Sequence, residues 1–98
     1  MTDIQLNIPR EQIADFCRRN HIRKLSLFGS AVREDFRPDS DVDVLVEFEP
    51  EYTPGLRFFS MQAGLSQILG RSVDLNTPHW LSPRFLDEVQ REQVPVYV

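Results

Sequence analysis

The sequence predicts a two-layer α/β (α+β) domain with helices packed on one sheet. Segments with helical apolar spacing alternate with short β-branched runs, in the order α-β-α-β-α-β-α-(β). One run, Asp41-Val42-Asp43-Val44-Leu45-Val46-Glu47-Phe48, alternates so cleanly that Val42, Val44, Val46 and Phe48 must share a face. The chain has 98 residues, 41% apolar and 27% charged, which suits one ordinary globular core spanning residues 1–98 and excludes disorder.

The elements follow in order. Asn7-Ile8-Pro9 can open a helix with Pro9 near its first position, and Ile13, Phe16 and Cys17 form its apolar stripe. Arg18 and Arg19 suit its last turn, and Asn20 can close it. Ile22 to Phe28 reads as a strand, broken by Gly29-Ser30. A short helix is expected over Ala31–Glu34, then a loop from Asp35 to Ser40. After the strand from Asp41 to Phe48, Pro50 to Gly55 is a loop, and Leu56 to Leu69 has helical spacing with Gly70 as its stop. Ser72 to Leu75 is a short strand. Ser82-Pro83 opens a last helix, with Phe85, Leu86 and Val89 expected inward. Val94 to Val98 is an edge strand, because Pro95 has no place in a central one.

Composition excludes several functions. The net charge is −4, from 15 acidic and 11 basic residues, which gives no surplus for neutralising many phosphates. Direct binding of long nucleic acid is not expected. No run approaches the roughly 20 apolar residues of a membrane span. The start, Met1 to Leu6, lacks the basic and apolar regions of a signal peptide. Cys17, the lone cysteine, excludes an internal disulfide or a multi-cysteine zinc site. A reducing, cytoplasmic setting is the expectation.

Three carboxylates carry the chemistry. Asp41 and Asp43 are i and i+2 on a strand, so both project from one face. Such a pair repels itself unless a cation sits between the carboxylates, and oxygen-only ligands suit Mg²⁺ or Mn²⁺. Asp74 reaches the same place if its strand lies beside that of Val42. Three carboxylates can hold two ions, the arrangement used for phosphoryl or nucleotidyl transfer. Upstream, Gly29 lets backbone N–H groups approach a phosphate, the Ser30 hydroxyl can donate to one, and Arg33 can reach the same anion. Ten residues separate Ser30 from Asp41, so one loop can set a phosphate cradle beside a metal pair. Taken singly, these are a turn, a solvated strand face and an edge carboxylate. Their conjunction points to a nucleoside triphosphate bound with its metal.

Leu27-Phe28-Gly29-Ser30-Ala31-Val32-Arg33 and Arg37-Pro38-Asp39-Ser40-Asp41-Val42-Asp43-Val44 together resemble the minimal nucleotidyltransferases of the DNA polymerase β superfamily. The signature of that family is Gly-Ser, ten residues, Asp-x-Asp, matched here at Gly29, Ser30, Asp41 and Asp43. Its downstream carboxylate matches Asp74. The resemblance runs from Leu25 to Val98. It implies a palm-like nucleotidyltransferase fold, with helices packed on a mixed sheet. It also implies that Gly29, Ser30 and Arg33 hold the triphosphate of ATP. Asp41, Asp43 and Asp74 would bind two Mg²⁺ ions, and Asp74 would help deprotonate the attacking hydroxyl. The implied reaction moves AMP from ATP to a hydroxyl and releases pyrophosphate. Small members of the family are commonly antitoxins that adenylylate a tyrosine of a partner HEPN-domain ribonuclease toxin, with which a hetero-oligomer is expected.

The second reading keeps the partner and drops the catalysis: an antitoxin that neutralises its toxin by occlusion. Tyr52, Phe58, Phe59, Trp80, Phe85 and Tyr97 are the candidate contacts. His21 and His79 are not expected to be catalysts, since the acceptor hydroxyl attacks directly. A nuclease of the Pro-Asp…(Asp/Glu)-x-Lys kind would lack its lysine, because Glu47-Phe48-Glu49 offers none.

Overall fold

The computed structural model describes residues 8–32 and 41–98. The elements are α1 (Arg10–Arg19), β1 (Ile22–Phe28), a 3-10 turn (Gly29–Val32), β2 (Val42–Phe48), α2 (Arg57–Leu69), β3 (Val73–Asn76), a second 3-10 turn (Pro78–Trp80), α3 (Pro83–Glu92) and β4 (Val94–Tyr97). The strands form one sheet in the order β3-β2-β1-β4. β2 and β3 run parallel, while β1 is antiparallel to both β2 and β4. The sheet is therefore mixed, and β4 takes the edge that Pro95 requires.

Local differences from the sequence reading have plain causes. Pro9 is the N-cap residue of α1 instead of its first helical residue. The helix expected at 31–34 begins earlier, as a tight turn from Gly29, because that residue takes φ +69° directly after β1. Residues 33 and 34 lie outside the described part. The strand expected over 72–75 runs over Val73–Asn76, and the Pro78–Trp80 turn had no counterpart in the sequence reading.

The two faces of the sheet serve different ends. On one face Val42, Val44 and Val46 of β2 join Leu25 and Leu27 of β1 in the main core. There they meet Ile13, Phe16 and Cys17 of α1, and Phe58, Met61 and Leu65 of α2. Each large side chain so buried contributes about 1.5–3 kcal/mol. On the other face α3 is anchored by a smaller cluster of Phe28, Leu45 and Val89, with Leu81 and Leu86 against it. Phe85, expected inward, is 44% exposed and meets Phe28 only edge-on, with ring centroids 6.4 Å apart. The inward stripe of α3 is narrow, one turn from Leu86 to Val89, and Phe85 flanks it.

The free edge of β3 is covered by side chains of α2. Val73 N–H donates to Ser66 Oγ (3.1 Å) and Leu75 N–H to Gln62 Oε1 (3.0 Å). These bonds satisfy an edge that would otherwise offer bare donors, and they fix the residues on either side of Asp74. Among the described residues no helix is long and apolar enough to cross a membrane.

Candidate active site at the head of β2

Alternation along β2 decides where its carboxylate goes. Val42 and Val44 are fully buried in the main core, so Asp43 between them projects from the opposite face. The parallel register places Asp43 directly beside Asp74. Neighbouring strands lie about 4.8 Å apart, which brings the two carboxylates together on one face. The condition that the sequence left open, adjacency of the two strands, is met. Asp41 sits one residue ahead of β2, exposed, and two residues from Asp43.

On the other flank Asp43 is paired with Phe28, the last residue of β1, so Gly29 follows at its side. A Cβ on Gly29 would collide with Asp43 Oδ2 and stand 3.2 Å from its Cγ. Glycine is thus required twice, by the positive φ and by the carboxylate resting against its Cα. The turn carrying Ser30 starts here, beside the acidic pair. Arg33 lies outside the described residues.

The donor set suits magnesium. Its ligands are carboxylate oxygens alone, side by side and with like charges that a cation relieves. Among the described residues no three ligating side chains are grouped closely enough to hold a metal ion, so the structure sets Asp43 beside Asp74 without gathering Asp41 into the same cluster. An open set is what Mg²⁺ takes, because it keeps waters and completes its shell with substrate phosphates. Asp41, Asp43 and Asp74 would be its holders.

One residue of this region escaped the sequence reading. Glu92, at the end of α3, accepts a hydrogen bond from Gly29 N–H at 3.2 Å. A signal did exist: a carboxylate in the last turn of a helix opposes the helix dipole and asks for another reason to be there.

The remaining candidates lie elsewhere. His21 precedes the far end of β1, where its ring faces Glu49 Oε2 at 3.1 Å and stacks on Tyr52. His79 N–H donates to Thr77 Oγ1 in the turn after β3. A cavity of about 630 Å³, lined by Phe48, Tyr52, Phe58 and Trp80 among others, also opens at that end. It lies about 20 Å along β2 from Asp41, at roughly 3.3 Å per residue, and is distinct from the acidic site. Of the aromatic residues proposed as contacts, Phe58 is buried, while Phe59 and Trp80 are 65% and 60% exposed.

A glycine turn against paired carboxylates on a mixed sheet defines a nucleotidyltransferase-type centre. The comparisons agree. Residues 11–98 match the family described as Polymerase beta, Nucleotidyltransferase, and the chain belongs to that family. It is 40% identical over 75 residues to the protein adenylyltransferase MntA of Thermococcus cleftensis, covering 76% of this chain and 75% of the relative. It superposes on a solved structure described as a candidate minimal nucleotidyltransferase with a TM-score of 0.74 and 36% identity, over 88% of this chain and 87% of that one. A complex of tri-AMPylated Shewanella oneidensis HEPN toxin with its MNT antitoxin gives a TM-score of 0.67 at 20% identity, over 90% of this chain and 68% of that one, and speaks for the fold alone.

Proposed function

We propose that this chain transfers AMP from ATP, with Mg²⁺, to a tyrosine hydroxyl of a partner HEPN ribonuclease toxin, and that it acts as the antitoxin of that toxin. The observation that carries the reading is Asp43 in register with Asp74 and pressed against Gly29. The kinship with a relative named protein adenylyltransferase MntA supports the reaction. The fold shared with an MNT antitoxin bound to an AMPylated HEPN toxin supports the partner.

The chemistry follows from the residues. The acceptor oxygen attacks the α-phosphorus, the bond from that phosphorus to the bridging oxygen of the β-phosphate breaks, and pyrophosphate leaves. Asp74, exposed on the same face as Asp43, takes the proton of the attacking hydroxyl and passes it to solvent. Asp41 and Asp43, joined by Asp74, would hold the divalent ions, which when bound would supply charge neutralisation at the phosphates and a more acidic acceptor. The Gly29–Ser30 turn, with Arg33, cradles the triphosphate. Leu56, Phe59 and Trp80, 84%, 65% and 60% exposed, offer apolar surface suited to a protein partner.

The test uses labelled ATP, Mg²⁺ and a co-expressed partner. Wild type is expected to label the partner. Asp41→Ala with Asp43→Ala is expected to abolish the label while leaving the melting curve in place, since neither side chain packs in the core. Labelling by the double variant at the wild-type level would sink the transferase reading. Suppression of toxicity by a variant that never labels would favour occlusion instead. Replacing the tyrosines of the partner by phenylalanine reads out the acceptor.

A further inference from the structure

The contact between Glu92 and Gly29 spans 63 positions of sequence and joins the end of α3 to the turn beside the carboxylates. Three observations make it more than a surface contact. Val89, one turn earlier, is 1% exposed and locked between Phe28 and Leu45, so the end of α3 is held at a set distance from the turn. The Gly29 amide nitrogen is bonded to the same Cα against which the Asp43 carboxylate rests, so a grip on that N–H also sets the approach to Asp43. A carboxylate at this end of a helix is disfavoured by the helix dipole, so the helix itself does not explain Glu92.

We propose that Glu92 is a positioning residue for the phosphate-cradling turn: by accepting the Gly29 N–H, it fixes the peptide plane from which the turn is presented to the nucleotide. Glu92 acts through Gly29 and does not touch the reacting atoms. The proposal rests on the transferase reading above. A hydrogen bond to a charged acceptor is stronger than a neutral one, which gives the grip its stiffness.

The experiment measures binding of Mg²⁺ with a non-hydrolysable ATP analogue, and KM and kcat for transfer, in wild type, Glu92→Ala and Glu92→Gln. The alanine variant is expected to raise the dissociation constant and the KM for ATP about tenfold with kcat within about twofold. Glutamine, whose amide oxygen still accepts from an N–H, is expected to stay within about threefold of wild type. A merely structural role would lower the melting temperature without this split or this rescue. An unchanged KM in Glu92→Ala overturns the proposal. So does a lower one, which would make the carboxylate a competitor of the phosphate. If the alanine variant does not fold, Glu92→Asp, one methylene shorter, is expected to raise KM, and an unchanged KM there overturns the proposal equally. A wild type that binds no magnesium nucleotide sinks the transferase reading and this proposal together, whereas normal binding by every Glu92 variant sinks this proposal alone.

Discussion

Substituting Gly29 by alanine separates the cost of a strained backbone from the cost of a displaced carboxylate. Gly29, Gly55 and Gly70 have nearly the same dihedral, φ +69°, +59° and +69°. At each, alanine must adopt a left-handed conformation that costs about 1–2 kcal/mol, partly offset by an unfolded chain stiffened by about 0.4–1 kcal/mol. A net loss of about 1 kcal/mol lowers the melting temperature of a domain this size by about 4–8 °C. At Gly55 and Gly70 the account ends there, since nothing lies within 4 Å of the added methyl. At Gly29 the methyl lands on the Asp43 carboxylate, which must leave its rotamer for about 0.5–1.5 kcal/mol more. A shift of about 1 Å in a reacting group can cost about a hundredfold in rate. Gly29→Ala is therefore expected to lose at least about a hundredfold in AMP transfer, while Gly55→Ala and Gly70→Ala lose stability and keep their rate. Thermal melts and a transfer assay on the three variants decide the matter. If Gly29→Ala transfers as well as Gly70→Ala, the carboxylate does not depend on the bare Cα, and the site has been misread.

Two further predictions concern the scaffold. Ser82 accepts the Phe85 N–H at 3.3 Å as the N-cap of α3, so Ser82→Ala is expected to destabilise by about 1 kcal/mol in urea unfolding. Burial pushes the Cys17 thiol up from 9.0 to about 12. Because the folded pKa is the higher one, the neutral thiol adds its stability fully below pH 9, and that contribution is lost as pH rises from 9 towards 12. Urea midpoints of wild type should therefore fall faster over that window than those of Cys17→Ala. Iodoacetamide at pH 8 should react with Cys17 only after unfolding.

What was legible in the sequence was local. The β-branched alternation of Val42, Val44 and Val46 located β2 and its buried face, and Ser82-Pro83 located the start of α3. Asp41 and Asp43 were readable as a pair because they stand two residues apart, although Asp41 lies one residue ahead of β2. The partnership with Asp74 could be stated only as a condition, since a parallel register depends on how α2 carries the chain back to the sheet. Gln62 and Ser66 were invisible for the same reason: they read as polar positions on a helix, and only the fold sets them against the edge of β3. Glu92 was missed because its partner is distant in sequence. Phe85 was misplaced because helical spacing marks a stripe without giving its width.

The division of labour within β2 explains why so short a chain can hold a polar site. A carboxylate pair is costly to fix, because like charges push apart and long loops yield. Here Asp43 stands on the strand whose Val42, Val44 and Val46 are the most deeply packed side chains in the sheet. Its backbone position is therefore set by core packing on the reverse face. Asp74 is held in the same manner, with Val73 and Leu75 buried on the reverse face and their N–H groups tied to α2. On the proposed reading, a divalent ion between the two acids would meet carboxylates already held on a stiff support and would bind without reorganising the fold. If the proposed site is right, substitutions in the valine stripe are expected to act on transfer through stability and register together, and those at Asp41, Asp43 and Asp74 on transfer with little loss of stability.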